Sequence, residues 1–132
     1  MSKGTIYSFK DKSNKTFESG EFLKDNGHFN SSIHCFYYSC IQITNHFFQV
    51  KLNLSDSDLR DLFKTEHSHN KTLQLIIDNI GKSKRRAIKN NFDDLKQKRV
   101  QADYRQFYLS EDDSIECKKL AEEYLNTISL SL

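Results

Sequence analysis

The chain has no proline and only four glycines in 132 residues. With so few breakers it is tilted strongly toward helix. It also lacks any apolar run near the roughly 18 residues that a membrane span needs. The start, Met1-Ser2-Lys3-Gly4-Thr5, has no apolar region behind it, which speaks against a secretory signal. Gly4 does not directly follow the initiator methionine, so it is not a myristoylation signal. The three cysteines, Cys35, Cys40 and Cys117, are odd in number and fall in no paired spacing. Free thiols in a reducing compartment are the simplest reading. The expectation is a cytoplasmic chain with no membrane segment and no cofactor.

Motifs of common enzymes are missing too. There is no glycine-rich phosphate loop, no nucleophile elbow, no His-Glu-x-x-His and no Cys-x-x-Cys. His67-Ser68-His69 could chelate zinc only with two further ligands, which the sequence does not show, so no metal is expected. Asp93 and Asp94 are adjacent, hence not on one helix face, and read as solvent-facing.

What is present is helical periodicity. Hydrophobic residues make up 36% and charged residues 29%, which suits one globular domain with a modest core. Residues 1–13 read as a polar lead or the start of the first helix, and 14–132 as a single helical bundle. Phe17, Phe22 and Leu23 mark a first helix over Asn14–Asn26, capped at Ser13 or Asn14, weakened by Gly20 and stopped by Gly27. Asn30 or Ser31 can cap the next. There Ile33, Phe36, Tyr37, Cys40, Ile41, Thr44, Phe47 and Phe48 recur at three and four, the strongest pattern in the chain and the expected central helix. His34 and His46 read as ordinary polar-face histidines. Tyr37 and Tyr38 point roughly 100° apart, so one belongs to the core and the other to a surface or interface.

After a connection over Val50–Ser55, Leu59, Leu62 and Phe63 form a short helix. Leu73 to Ile80 form another, ended by Gly81. A long helix runs from Lys82 to about Phe107, and Ser110 with three acids behind it starts the last. The fold class is therefore all-α: an up-and-down bundle of about five helices, four of them substantial.

Charge is uneven. From Lys82 to Arg105 nine Lys/Arg face three Asp, while Gln106–Leu132 carries six acids against two lysines. The basic part can hold nucleic acid, or the two segments can pair with each other or across a dimer. The long helix places Ile88, Phe92, Leu95 and Ala102 on one face, and Arg99 falls on that same face. A permanently charged guanidinium in an apolar seam either reaches out, pairs with Asp103 one turn on, or looks into a cleft that holds an anion.

Two stretches resemble the HEPN superfamily, small helical-bundle proteins of prokaryotic toxin–antitoxin and phage-defence systems. Asn30-Ser31-Ser32-Ile33-His34-Cys35-Phe36-Tyr37-Tyr38-Ser39-Cys40 is similar to its paired-tyrosine helix. Leu95-Lys96-Gln97-Lys98-Arg99-Val100-Gln101-Ala102-Asp103-Tyr104 is similar to its Arg-x-x-Ala-Asp-Tyr segment. The resemblance implies a homodimer with a symmetric cleft, lined in active members by an arginine and, four to six residues on, a histidine that together cleave RNA without a metal. Here Arg99 matches the arginine, but Tyr104 stands where the histidine would complete the pair, and Val100 replaces a commonly polar residue. A phenol is a weak base near neutral pH, though it can donate a hydrogen bond or a proton. The expected site is Arg99, Asp103 and Tyr104, with Lys82, Lys84, Arg85, Arg86 and Lys89 as a basic collar for RNA. The alternative is an inactive interaction subunit or regulator of a neighbouring defence enzyme such as a nucleotidyltransferase, in which Asp103 merely pairs with Arg99 and Tyr104 packs in the dimer seam.

Overall fold

A computed structural model describes residues 8–64 and 66–132. Ile6 and Tyr7, the first apolar positions of the expected polar lead, lie outside them. Among the described residues the chain forms six helices and no strand: α1 (Phe9–Asp25), α2 (Phe29–Leu52), α3 (Asp56–Phe63), α4 (Ser68–Asp78), α5 (Lys82–Tyr104) and α6 (Glu111–Ser129). The all-α bundle is as expected, with α1, α2, α5 and α6 as its four long members.

The ends of the helices follow their capping chemistry. Ser8, not Ser13 or Asn14, caps α1 by accepting from the Asp11 amide, so the bundle reaches into the expected lead. Ser55 with Asp58, and Ser110 with Asp113, form reciprocal capping boxes on α3 and α6. Helix α2 starts one residue before its expected cap and runs on to Leu52, through part of the expected connection. Asn30 is therefore free for another task. Its Nδ2 donates to the Ala102 and Phe107 carbonyls at 3.2 and 2.7 Å, and its Oδ1 accepts from the Leu109 amide at 2.8 Å. One carboxamide thus holds the whole turn between α5 and α6.

Helix α2 is the axis of the fold, packed against α1, α5 and α6. Its Ile33, Phe36, Cys40, Phe47 and Phe48 are buried with Phe92 and Leu95 of α5 and Ala121, Tyr124 and Ile128 of α6. Each such large side chain contributes roughly 1.5–3 kcal/mol of burial. Small residues let the helices close up. A Cβ on Gly20 would stand 2.7 Å from Cε1 of Phe36, so glycine there serves the contact between α1 and α2. Ser13 Oγ donates to the Ser39 carbonyl at 2.7 Å across the same seam. Phe22, expected on the apolar face of α1, is instead 68% exposed, and Phe17 makes the core contact with Phe36.

Candidate functional site

The seam between α2 and α5 positions the site. Ile88, Phe92 and Leu95 are fully buried, and Arg99 continues their face with 16% of its side chain exposed. The burial is made tolerable by partners from two helices. Nη2 donates to the Tyr38 hydroxyl at 2.6 Å and to the Tyr104 hydroxyl at 3.2 Å. Nε lies 3.1 Å from Oδ2 of Asp103, an ion pair whose N–H is not aimed well enough for a hydrogen bond. The guanidinium carbon also sits 5.0–5.4 Å from the ring centres of Tyr37, Tyr38 and Tyr104. Burial works against the charge, but the surrounding oxygens of Tyr38, Tyr104 and Asp103 outweigh it and raise the Arg99 pKa.

Asp103 serves a second partner. The same Oδ2 meets Nδ1 of His34, from α2, at 2.7 Å. A carboxylate paired with arginine can only accept, so Nδ1 carries the ring proton and the lone pair lies on Nε2. The His34 side chain is 47% exposed and stacks at 4.6 Å on Tyr38. A histidine therefore does stand beside Arg99, supplied by the other helix. The motif spacing along α5 could not reveal it. The available signal was the four-residue step from His34 to Tyr38, which puts both on one face of α2.

A buried relay lies behind this cluster. Tyr37 is the core member of the tyrosine pair, and its hydroxyl meets Nδ1 of His69 at 3.0 Å. Nε2 of His69 meets Oδ1 of Asp93 at 3.1 Å, and Lys89 pairs with Oδ2 of that carboxylate. Burial pushes the Asp93 carboxyl up, but the bonds from His69 and Lys89 prevail and lower its pKa. As an acceptor, Asp93 places the His69 proton on Nε2, so Tyr37 donates to Nδ1. Burial first, and the nearby cations Lys96 and Arg99 after it, lower the His69 pKa. Asp93 is thus not the solvent-facing residue expected from the sequence. His69 has committed both nitrogens, and among the described residues no group of three His, Cys, Asp or Glu could hold a metal ion.

Two hollows lie at this cluster, and Arg99 lines the larger of them. One, of about 240 Å³, is bordered by His34, Asn30, Ala102 and Asp103. The other, of about 270 Å³, lies between α2, α4 and α5. The expected basic collar is elsewhere. Lys82 is 17 positions from Arg99 along α5, about 25 Å at 1.5 Å per residue. Lys84 donates to Ser131, Arg85 to the Ile80 carbonyl and Lys89 to Asp93, while Lys82 and Arg86 are exposed. Of the predicted site residues, Arg99, Asp103 and Tyr104 come together; Lys82, Lys84, Arg85 and Arg86 stay at the opposite end of the helix, and Lys89 reaches only the relay, through Asp93. No protein-family model, curated protein or solved structure matches this chain.

Proposed function

We propose that this chain is a HEPN-like, RNA-directed protein and that it cleaves single-stranded RNA without a metal, as a homodimer in a toxin–antitoxin or phage-defence setting. The observation that carries the reading is the Asp103 carboxylate shared by Arg99 and His34. Asp103 fixes the His34 ring so that Nε2 faces outward as a base, beside a permanent positive charge for a phosphate. In the reaction, Nε2 takes the proton of a ribose 2′-hydroxyl, and that oxygen attacks the adjacent phosphorus. The bond to the 5′-oxygen breaks, and the Tyr38 hydroxyl, polarised by Arg99, returns a proton to the leaving oxygen. The products are a 2′,3′-cyclic phosphate end and a 5′-hydroxyl end.

The test is incubation of the purified protein with cellular RNA and tRNA in EDTA, repeated with Arg99→Ala and His34→Ala. Cleavage by the parent and its loss in both variants is the expected result. Absence of cleavage by the parent overturns the ribonuclease, and absence of salt-dependent RNA binding as well overturns the RNA-directed reading.

The interaction-subunit reading is favoured by one feature, the aromatic cluster of Tyr104, Phe107 and Tyr108 that the fold leaves exposed. In the ribonuclease reading a second copy covers it; in this one another protein does. Co-purification with proteins encoded nearby separates the two, since a lone homodimer that cleaves RNA rules out a purely regulatory role.

A further inference from the structure

The 270 Å³ hollow lined by Arg99 combines three properties. Its walls are aromatic and aliphatic: Tyr38 and Ile41 from α2, and Phe63 from the end of α3. Its charged lining is cationic, from Lys96 and Arg99, with no carboxylate. Three of its polar groups are uncommitted. Neither Lys96 Nζ, nor Nη1 of Arg99, nor the Asn70 carboxamide has a hydrogen-bonding or ion-pair partner among the described residues, whereas Nη2 and Nε of the same guanidinium are engaged. The N-terminus of α4 opens onto the same space, and its capping position, His67, makes no side-chain cap bond.

We infer that this hollow is a subsite for one unstacked base of a single-stranded RNA, with the attached phosphate held by Lys96 and the free edge of Arg99. The inference rests on the RNA-directed reading above and names what its substrate must present. The volume falls below the roughly 300–1,000 Å³ of pockets that enclose drug-sized ligands, and suits a single heterocycle. Aromatic walls favour stacking of any base, and a cationic rim favours its phosphate. Selectivity then falls to Asn70 at the mouth. A carboxamide offers one donor and one acceptor side by side, the complement of the adenine N7 and N6 edge. The preferred nucleotide is therefore adenylate. Arg99 lines this hollow and pairs with Asp103, which borders the hollow beside His34 and bonds its ring, so a phosphate held on Arg99 lies on the side of the bundle that carries His34.

The full chain is titrated with 5′-AMP, 5′-UMP and inorganic phosphate and followed by two-dimensional amide NMR. AMP is expected to move the signals of Tyr38, Phe63, Ser68 and Asn70, and to bind more tightly than UMP. Phosphate is expected to move those of Lys96 and Arg99 alone. Ile41→Trp, which fills the hollow, should weaken AMP at least about tenfold and leave phosphate unchanged, as expected for loss of one stacking site. Asn70→Ala, at an exposed position, should erase the preference for AMP over UMP. If Ile41→Trp does not fold, Phe63→Ala reads the same loss of AMP. AMP binding no tighter than phosphate, or unaltered by the filling variant, overturns the subsite. The two readings fail separately. Nucleotide binding without any RNA cleavage spares the subsite and removes the ribonuclease. Cleavage with base preference unchanged in Asn70→Ala and the filling variant does the reverse.

Discussion

Arg99 and Tyr38, 61 positions apart in the chain, are joined by a 2.6 Å hydrogen bond donated by Nη2. The bond fixes the phenol of α2 against the guanidinium of α5 and turns two separate motifs into one surface. Tyr38→Phe keeps the ring over the guanidinium and removes only the hydroxyl. On the proposed reaction it lowers kcat about 10²-fold or more, the usual scale for a lost proton donor. Stability should change by about 1 kcal/mol or less, because Arg99 keeps Tyr104 and Asp103. Single-turnover cleavage together with urea unfolding checks both halves.

His34→Gln retains a polar side chain beside Asp103 and removes the ring. The expected loss is about 10²–10⁴-fold in cleavage rate with RNA affinity nearly kept, since Arg99 still holds phosphate. A variant that cleaves at the parental rate would transfer the base role to another group. Nearly half of the ring is exposed, so its unfolding midpoint should stay close to that of the parent.

The histidines also set a direction for stability against pH. Burial first depresses the folded pKa of His69, so the fold favours the neutral ring with Tyr37 donating to it. An unfolded chain takes up that proton near the ordinary value of about 6.5. The stabilisation is therefore complete above that pH and is lost as pH falls toward and through the folded value. Burial, with Lys10 close by, lowers His46 as well, and it adds in the same sense. Urea midpoints should drop between pH 7.5 and 5.5, and His69→Gln should flatten part of that slope.

Gly20→Ala should destabilise the protein, although alanine favours an exposed helix by about 1 kcal/mol. The added Cβ would press on the Phe36 ring at 2.7–2.8 Å, and overpacking of this kind costs roughly 1–3 kcal/mol. Gly20→Ala combined with Phe36→Leu should recover part of the loss in thermal unfolding.

Gly20 also shows where the sequence stops being legible. Read alone, it is a weak point in a helix; only the neighbouring helix explains it. The strong periodicity of α2 and the capping serine of α6 were readable, because both depend on residues within a few positions. The Arg99–Asp103 pair was readable for the same reason, being one turn apart on one helix. His34 and Tyr38 were not, since their roles depend on which helix α2 faces and at what register. Asp93 was misjudged for a like reason: its partner, His69, comes from α4, 24 positions back. The basic run of Lys82–Arg86 looked like part of the site because it shares α5 with Arg99, yet a rod 23 residues long separates its two ends.

The bracket that Asn30 places on the turn after α5 restrains the bundle in a particular way. Apolar contacts resist separation of two rods but oppose sliding only weakly, since one greasy ridge can replace another. Three directional bonds from a single amide at the end of the seam break together if α5 shifts by one turn along α2. The lengthwise alignment of the pair is therefore locked, and a cluster divided between the two rods depends on that alignment.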